Sequence, residues 1–318
     1  SEVFIIGGQK FLVSASAGIA VFPSDGKNSD ELVKNADIAM YKAKEKGINH
    51  FAISSQLIRD EFETVVELTN NLAKAIENDE FTLHYQPQVD INTSEIVGVE
   101  ALLRWNHPTL GLVSPNIFIP IAEKNNLIND IGSWVLKTAC LQNKLWQNMG
   151  LKPLIMAVNI SASQILNNDL VSEVKYVLKE TGLSPKYLEL EVTESIAIRD
   201  SVNVLKNLRQ LSYLGVSIAI DDFGMEYSSL SRLKQLPTNM LKIDMDFTKG
   251  IETNLSDRAI IRVIISLAKN LNIKVIAEGV ETKEQLEFLK FEKCDFIQGY
   301  LFYKPLLPSS LEKHLVRK

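Results

Sequence analysis

Acidic and amide side chains follow a series of short apolar segments, and their types favour binding of a divalent cation. The set comprises Glu100 in VGVEALLRW, Asn159 in AVNIS, Glu191 in ELEVTES, and Asp221 and Asp222 in IAIDDFG. Carboxylates crowded at one place repel each other and raise one another's pKa values, and a divalent cation removes that penalty. A donor set made only of oxygen suits Mg²⁺ or Mn²⁺ better than zinc. The sequence therefore predicts a magnesium or manganese site.

The neighbouring acids Asp221 and Asp222 indicate a site with two ions. A bridging carboxylate commonly holds two metals about 3.5–4 Å apart in enzymes that hydrolyse phosphate esters. Lys242 and Arg104 supply cationic groups for phosphate oxygens. Further polar side chains lie at strand ends and complete the candidate set: Glu194, Asp244, Glu278, Glu281 and Gln298.

Each of these residues also has a structural interpretation. A single carboxylate at a strand end is often a helix cap or an ion-pair partner. DDFG can be a simple turn, and Lys242 can belong to a structural ion pair. Convergence of so many polar residues on one rim favours the functional interpretation. Glu194 and Glu281 fit support of loops better than metal binding.

The segments that carry these residues predict an α/β fold. Eight apolar or alternating runs indicate strands at 81–89, 96–104, 154–160, 187–193, 216–221, 239–243, 273–278 and 295–302. Amphipathic patterns predict helices at 116–149, 163–181, 201–214, 256–271, 282–291 and 308–316. The link 90–95 is too short for a parallel crossover. The sequence thus predicts a (β/α)₈ TIM-like barrel with an antiparallel first strand and its active site at the carboxyl ends of the strands.

A small α+β fragment is predicted for residues 1–54, followed by a connector helix at 55–79 and the barrel at 80–318. Two strands joined at Gly7 and Gly8 precede a helix capped by Ser29 and ended by Gly47. Such a fragment cannot bury a core by itself. We therefore expect an upstream portion to be missing, and the exposed strand edge makes a homodimer plausible.

Composition excludes several classes of protein. With 34 Lys and Arg against 39 Asp and Glu, the net charge of −5 argues against a DNA or RNA polymer as partner. Two cysteines exclude a disulfide scaffold and a cysteine zinc cluster. No apolar run of about 18 residues or signal peptide is present, so we expect no membrane segment in this chain and a cytoplasmic location. A missing upstream region could still tether the full-length protein to a membrane.

Eight ordered motifs give the chain a resemblance to a known family. They are YQP (Tyr85–Pro87), EAL (Glu100–Leu102), NIS (Asn159–Ser161), EVTE (Glu191–Glu194), DDFG (Asp221–Gly224), LKID (Leu241–Asp244), AEGVET (Ala277–Thr282) and QGYLF (Gln298–Phe302). Over about residues 65–316 the chain resembles the EAL family of cyclic-di-GMP phosphodiesterases. The resemblance implies a (β/α)₈ barrel with one antiparallel strand. It also implies metal-dependent hydrolysis of cyclic di-GMP to linear pGpG in bacterial second-messenger signalling.

The resemblance implies a role for each matching residue. The first metal would be bound by Glu100, Asn159, Glu191 and Asp221, and the second by Asp221, Asp222 and Glu278. Lys242 would orient or activate the water, and Glu278 is sometimes assigned as general base. The substrate would contact Gln86, Leu102 and Arg104, with Arg104 at a phosphate, and Gln298 would lie near the metal and its water. Glu100, Asp222, Lys242 and Glu278 form the expected catalytic set, whereas Glu194, Asp244 and Glu281 would support it.

The amino-terminal segment resembles the carboxyl-terminal part of a GGDEF (diguanylate cyclase) domain. SASAGIAVFPSDG and NADIAMYKAKEKGIN are similar to the closing strand and helix of that domain. Gly7 and Gly8 are followed by Gln-Lys-Phe, so they are not the GGDEF motif, which would lie upstream of residue 1. We therefore expect no cyclase chemistry in this chain.

The loop after the fifth strand departs from the family pattern. It reads DDFGMEYSSL, with Met225 and Glu226 where the family has a small residue and a glycine. Glutamate is strained where glycine adopts a positive φ. If this loop limits turnover, Glu226→Gly should raise it.

Three functions follow from these observations. An active phosphodiesterase is favoured over a cyclic-di-GMP-binding sensor, because sensors of this type lose metal ligands and none is lost here. A scaffold that acts through its amino-terminal segment or a dimer face is the third. Metal-dependent turnover discriminates among them.

Overall fold

The computed structural model describes residues 3–7, 9–45, 47, 49–166, 169–198, 202–225 and 230–316. The chain divides into two compact units, Ser1–Lys74 and Ala75–Lys318. Helix α2 of the first unit spans Gln56–Leu72 and is therefore shorter than the helix predicted for 55–79. Ser55 begins it, since the Ser55 side chain accepts a hydrogen bond from the backbone N–H of Ile58.

The first unit contains more strands than the sequence predicted. Strands β1 (Val3–Ile6) and β2 (Gln9–Leu12) are antiparallel, and β3 (Ala17–Ile19) pairs in parallel with β4 (Phe51–Ile53). Gly7 has φ +60° in the first connection, and Gly8 lies outside the described residues. Helix α1 (Ser29–Glu45) connects β3 to β4.

The sequence predicted that Ser29 caps α1, and this prediction is wrong. Asn28 takes that role, because its Oδ1 accepts a hydrogen bond from the backbone N–H of Glu31. The Glu31 side chain in turn accepts from the backbone N–H of Lys27. The predicted end is close to the observed one, since α1 ends at Glu45 and Gly47 has φ +111°.

The second unit is a closed eight-stranded barrel, which confirms the predicted fold. Its strands are β5 (Phe81–Asp90), β6 (Ile96–His107), β8 (Ile155–Asn159), β9 (Leu188–Thr193), β10 (Ser217–Phe223), β11 (Met240–Ile243), β12 (Lys274–Ala277) and β13 (Phe296–Ile297). Strand β5 is antiparallel to both β6 and β13, and the remaining neighbours in the barrel are parallel. Strand β7 (Gly111–Val113) extends the sheet from the end of β6.

Helices follow the parallel strands and cover the barrel. They are α3 (Pro115–Lys124), α4 (Ile128–Asn148), α5 (Ala162–Leu166), α6 (Leu170–Thr181), α7 (Glu194–Ile198), α8 (Val202–Tyr213), α9 (Leu230–Leu233), α10 (Met245–Gly250), α11 (Leu255–Asn270), α12 (Lys283–Phe291) and α13 (Pro308–Leu315). A 3₁₀ turn at Pro185–Tyr187 precedes β9. Among the helices of the described ranges, none combines the length and the apolar character needed to cross a bilayer.

Three predicted elements of the barrel are divided or much shorter in the structure. The helix predicted at 116–149 is two helices, because Asn126 adopts a left-handed φ of +59° between α3 and α4. The helix predicted at 163–181 is likewise divided into α5 and α6. The strand predicted at 295–302 is limited to β13, and the chain turns after it.

Candidate active site

Lys242 lies at the centre of the carboxyl ends of the barrel strands. Its side chain is only 1% exposed, and its Nζ lies 2.7 Å from Glu191 Oε2 and 2.8 Å from Glu278 Oε1. Asp221 Oδ1 is 3.1 Å away, and Glu100 Oε2 is 3.6 Å away. The four acids come from β6, β9, β10 and the residue that follows β12. The structure therefore brings five of the predicted site residues into one charge cluster.

The cluster holds Lys242 in its charged form. Burial alone would lower the pKa of Lys242, but attraction to Asp221, Glu100, Glu191 and Glu278 outweighs burial and raises it well above its usual value. Burial likewise opposes the charge of Glu100. Lys242, together with hydrogen bonds from Gln298 and Asn159, nevertheless holds the pKa of Glu100 below its usual value.

The other acids of the cluster are less well compensated. Burial raises the pKa of Glu278 to about 8, since attraction to Lys242 only partly offsets burial and repulsion from Asp221 and Glu100. Burial and repulsion from Glu100 also raise the pKa of Glu191 well above its usual value. One ammonium group is thus insufficient for these carboxylates, and the site favours additional positive charge.

Amide side chains fix the position of Glu100. Asn159 Nδ2 donates to Glu100 Oε1 at 2.7 Å, and Gln298 Nε2 donates to Glu100 Oε2 at 2.6 Å. Gln298 Nε2 also lies 3.3 Å from Gln86 Oε1, and Gln86 Nε2 lies 3.4 Å from the carbonyl oxygen of Tyr303. Both oxygens of Glu100 therefore accept a hydrogen bond from an amide that another strand or loop supplies.

The end of β10 has a less regular backbone. Asp222 adopts a left-handed φ of +54°, and the register between β10 and β11 shifts between Ile220 and Phe223. The backbone N–H of Asp222 donates to Asp221 Oδ1 at 3.1 Å. Burial, repulsion from Asp221 and the contact with Asp244 raise the pKa of Asp222 to about 6.

Glu194 and Asp244 hold backbone groups beside this strand. Glu194 Oε2 accepts from the N–H of Gly224 at 2.8 Å, and Asp244 caps α10 by accepting from the N–H of Asp246. A supporting role for Glu194 and Asp244 stays a prediction. Met225 is 54% exposed, and Glu226 lies outside the described residues.

A cavity of about 410 Å³ lies above the charge cluster. Nine predicted site residues line it: Gln86, Glu100, Leu102, Asn159, Asp221, Lys242, Glu278, Glu281 and Gln298. Sequence reasoning missed five further lining residues as members of the site: Met245, Lys249, Gly279, Gly299 and Tyr300. Four of these flank the LKID, AEGVET and QGYLF motifs or lie within them, so the motifs themselves were an available signal.

Not every predicted site residue lines this cavity. Arg104 instead lines a neighbouring cavity of about 450 Å³, which also contacts Leu102, Asn159 and Glu123. Burial lowers the pKa of Arg104. Glu191 lies beneath the floor in contact with Lys242, and Asp222, Asp244 and Glu194 lie outside the lining of the cavity.

Glu189 is a buried acid that sequence reasoning also missed. It is 2% exposed, and burial raises its pKa to about 7, against the attraction of Lys242. Glu189 and Glu191 are two residues apart in β9 and therefore point to the same side of the strand. That alternation in ELEVT was the signal that could have revealed it.

The donor set fits a divalent cation in its chemistry. Over the described ranges, no group of three or more His, Cys, Asp or Glu side chains is arranged so that it could hold a metal ion as it stands, and the ammonium group of Lys242 lies among the acids. However, Glu191 Oε1 is buried and has no hydrogen-bond partner among the described residues. An all-oxygen set with an unpaired buried carboxylate oxygen is suited to a divalent cation that prefers oxygen ligands.

Comparison with known proteins agrees with this geometry. The EAL domain family matches residues 69–305, which include the whole charge cluster. The chain belongs to the EAL domain family. The family described as diguanylate cyclase, GGDEF domain, matches residues 1–50, which confirms the resemblance of the amino-terminal segment.

Two similar proteins of Pseudomonas aeruginosa are longer than this chain. The bifunctional diguanylate cyclase/cyclic di-GMP phosphodiesterase MucR is 44% identical over 306 residues, which cover 96% of this chain and 45% of MucR. The cyclic di-GMP phosphodiesterase NbdA is 39% identical over 314 residues, which cover 99% of this chain and 40% of NbdA. This chain therefore spans less than half the length of either relative.

A solved structure of the PaMucR phosphodiesterase in complex with c-di-GMP is similar to the barrel. Its TM-score is 0.75 at 46% identity, over 77% of this chain and 99% of that one. The similarity supports the eight-stranded architecture of this EAL domain.

Proposed function

We propose that this chain hydrolyses cyclic di-GMP to linear pGpG in a reaction that requires Mg²⁺ or Mn²⁺. The observation that carries the proposal is the charge cluster, in which four acids from separate elements surround Lys242. The chain belongs to the same family as MucR and NbdA, which are described as cyclic di-GMP phosphodiesterases. Each residue that the family resemblance assigns to the site is present.

The proposed metal ligands follow from the oxygen donors at the strand ends. One ion would be held by Glu100, Asn159, Glu191 and Asp221, and a second by Asp221, Asp222 and Glu278. When bound, such ions polarise a phosphate and lower the pKa of a bound water. Their positive charge would also balance the negative charge of the acids that Lys242 alone does not neutralise.

Lys242 and Glu278 are the residues proposed to handle protons. Lys242 keeps its charge and holds Glu278 through Oε1 at 2.8 Å. Glu278 also lines the cavity of about 410 Å³. Only the carboxylate form of Glu278 can accept a proton from an attacking water, and the positive charge of bound ions would favour that form. A pKa raised to about 8 makes this carboxylate more basic than an ordinary one.

The two neighbouring cavities suit a substrate with two bases. They share Leu102 and Asn159 as lining residues, so a cyclic dinucleotide can extend from one into the other. Arg104 lines the second cavity and would bind a phosphate there. Tyr300 is 54% exposed beside the first cavity and offers an aromatic face for a base.

A binding protein that does not cleave its ligand is the second candidate function. The departure at Met225 and Glu226, beside the proposed second metal, is the observation that favours it. A loop that disturbs Asp222 would leave the ligand cavity intact while slowing the reaction.

The test is to incubate the purified chain with cyclic di-GMP and Mg²⁺ or Mn²⁺ and to separate the nucleotides over time. We expect pGpG to form only with metal, and Glu100→Ala to abolish it. Binding of cyclic di-GMP without product would contradict hydrolysis and support the sensor. Neither binding nor product would leave a scaffold as the function.

We further propose a homodimer and a cytoplasmic location for this chain. Light scattering of the chain and of a variant without residues 1–54 tests the dimer. A monomer that is unchanged by this deletion would contradict pairing through the amino-terminal segment.

A further inference from the structure

Asn159 has an exposed side chain, although its proposed role as a metal ligand requires that its amide has a fixed orientation. The residue ends β8, and its side chain is fixed by the hydrogen bond from Nδ2 to Glu100 Oε1 at 2.7 Å. An exposed side chain held at one point retains rotational freedom, which must be lost when its oxygen binds a ligand. The conformation of the backbone that follows Asn159 therefore determines how precisely the Asn159 amide is oriented.

Two residues further on, the chain is fixed by a reciprocal pair of hydrogen bonds. Gln164 Oε1 accepts from the backbone N–H of Ser161 at 3.1 Å and from Ser161 Oγ at 3.0 Å. Ser161 Oγ lies 3.3 Å from the backbone nitrogen of Gln164, which donates to it. This is a capping box at the start of α5, and it fixes the turn that leaves β8.

A glycine of another helix makes room for the Gln164 side chain. A Cβ at Gly132 of α4 would lie 2.1 Å from Gln164 Nε2 and 2.5 Å from its Cδ. Gln164 is 4% exposed, and its buried Nε2 has no hydrogen-bond partner among the described residues. The Gln164 amide thus packs directly against the backbone of α4 at Gly132. This contact depends on close packing and not on a hydrogen bond donated by Nε2.

Only Ile160 separates the capping box from Asn159. The backbone N–H of Ile160 donates to the carbonyl oxygen of Glu191 at 2.8 Å, and the Ile160 side chain is buried. The segment from Asn159 to Gln164 is therefore attached to β6, β9 and α4 in turn. A displaced Gln164 amide would no longer hold the turn after β8, and the orientation of the Asn159 side chain would then be less well fixed.

We propose that Gln164, seated on Gly132, is a positioning residue that aims Asn159 at the metal. This inference rests on the proposed function, because that function makes Asn159 a ligand. Gln164 acts through Ser161 and Ile160 and contacts neither metal nor substrate. Loss of a residue that orients a metal ligand typically weakens metal binding by about 10-fold to 100-fold.

The test measures binding of Mn²⁺ alone to the full chain, with free Mn²⁺ read by electron paramagnetic resonance. Gln164→Met keeps the volume but removes the acceptor, and we expect its Kd for Mn²⁺ to rise about 10-fold. Gln164→Glu keeps the acceptor and should bind no more weakly than the unchanged chain. Gly132→Ala should resemble Gln164→Met, because the added methyl group displaces the amide.

A double variant separates this coupling from general damage. With Gln164→Ala present, Gly132→Ala has no amide to displace and should weaken Mn²⁺ binding no further. Ser163→Ala is the matched control on α5, since it removes the 2.7 Å hydrogen bond that Ser163 donates to Asn129 of α4 but leaves the capping box. Its Kd should stay within about 2-fold of the unchanged chain.

Two results would overturn the inference. One is an unchanged Kd in Gln164→Met with a loss of thermal stability like that of Ser163→Ala, which would make the role purely structural. The other result applies if the unchanged chain binds no Mn²⁺, so that the proposed function fails and binding cannot test the inference. A metal-free crystal structure of Gln164→Met then decides, since a retained Asn159–Glu100 hydrogen bond overturns the inference and a lost one supports it.

Discussion

The two sides of the candidate site are built differently. On the amide-bound side, consisting of Glu100, Asn159 and Gln298, both carboxylate oxygens accept short hydrogen bonds from amides, and the pKa of Glu100 is held low. On the aspartate side, consisting of Asp221, Asp222 and Asp244, burial and neighbouring acids raise the pKa of Asp222 to about 6. The neighbours of Glu100 therefore favour its charged form, whereas the neighbours of Asp222 oppose ionisation, which an added cation would favour.

The backbone shows the same contrast. Glu100 lies within β6, paired with Gln86 of β5 and Ala157 of β8, so the ladder fixes it from both sides. Asp222 lies at a register shift and has a left-handed φ. Strand pairing therefore fixes the backbone of Glu100 more firmly than that of Asp222.

Removing the centre of the amide-bound side should have the largest effect. Glu100→Gln takes away the charge of a proposed metal ligand and leaves one of the two donating amides, Asn159 or Gln298, without its acceptor, because glutamine has a single carbonyl oxygen. We expect turnover of cyclic di-GMP to fall by more than about 100-fold, beyond the usual effect of residues that only orient ligands. Initial rates of pGpG formation measure this. An unfolded variant is excluded by thermal melting, and turnover within 10-fold of the unchanged chain would contradict a metal role for Glu100.

Removing Asp222 should cost less, because the first proposed metal keeps its ligands. We expect Asp222→Asn to lower turnover by about 10-fold to 100-fold, with a larger effect at low metal concentration. Rates measured over a Mg²⁺ series test this. A loss as great as that of Glu100→Gln at every Mg²⁺ concentration would show that the two sides are not distinct.

The sequence predicted the barrel well because alternation and strand ends are local signals. The position of Arg104 shows what such signals leave undetermined. Strand β6 pairs with β8 only as far as Ala101 and then continues to pair with β7, so Arg104 lies beyond the barrel rim and lines the neighbouring cavity. The length of an extension beyond the barrel depends on tertiary pairing.

Two other misses depend on contacts between distant segments. The apolar run 295–302 resembles a strand, yet a Cβ at Gly299 would lie 2.2 Å from the carbonyl oxygen of Val280, and the chain turns there. The seat of Gln164 on Gly132 joins α5 to α4, and neither sequence segment contains a signal for the other.

The metal-free protein should lose stability as pH rises. The pKa of Glu278 is raised to about 8, so the folded chain binds more protons than the unfolded chain between about pH 4.5 and 8. Stability therefore falls with pH across that window. In chelator, we expect the melting temperature to fall from pH 5 to pH 8, and Glu278→Gln to flatten the dependence. Added Mg²⁺ should restore stability at pH 8, and a melting temperature that rises with pH in chelator would contradict the linkage.

The smallest effect is expected from the loop of the aspartate side. Glu226 stands where the family has a glycine, and Glu226→Gly removes strain if that position has a positive φ. Relief of about 1 kcal/mol corresponds to roughly a 5-fold rise in turnover. The control is Met225→Ala, which shortens the exposed neighbour without adding backbone freedom. Equal rates for Glu226→Gly and the unchanged chain would show that this loop does not limit the reaction, and order on the aspartate side would then depend on the metal.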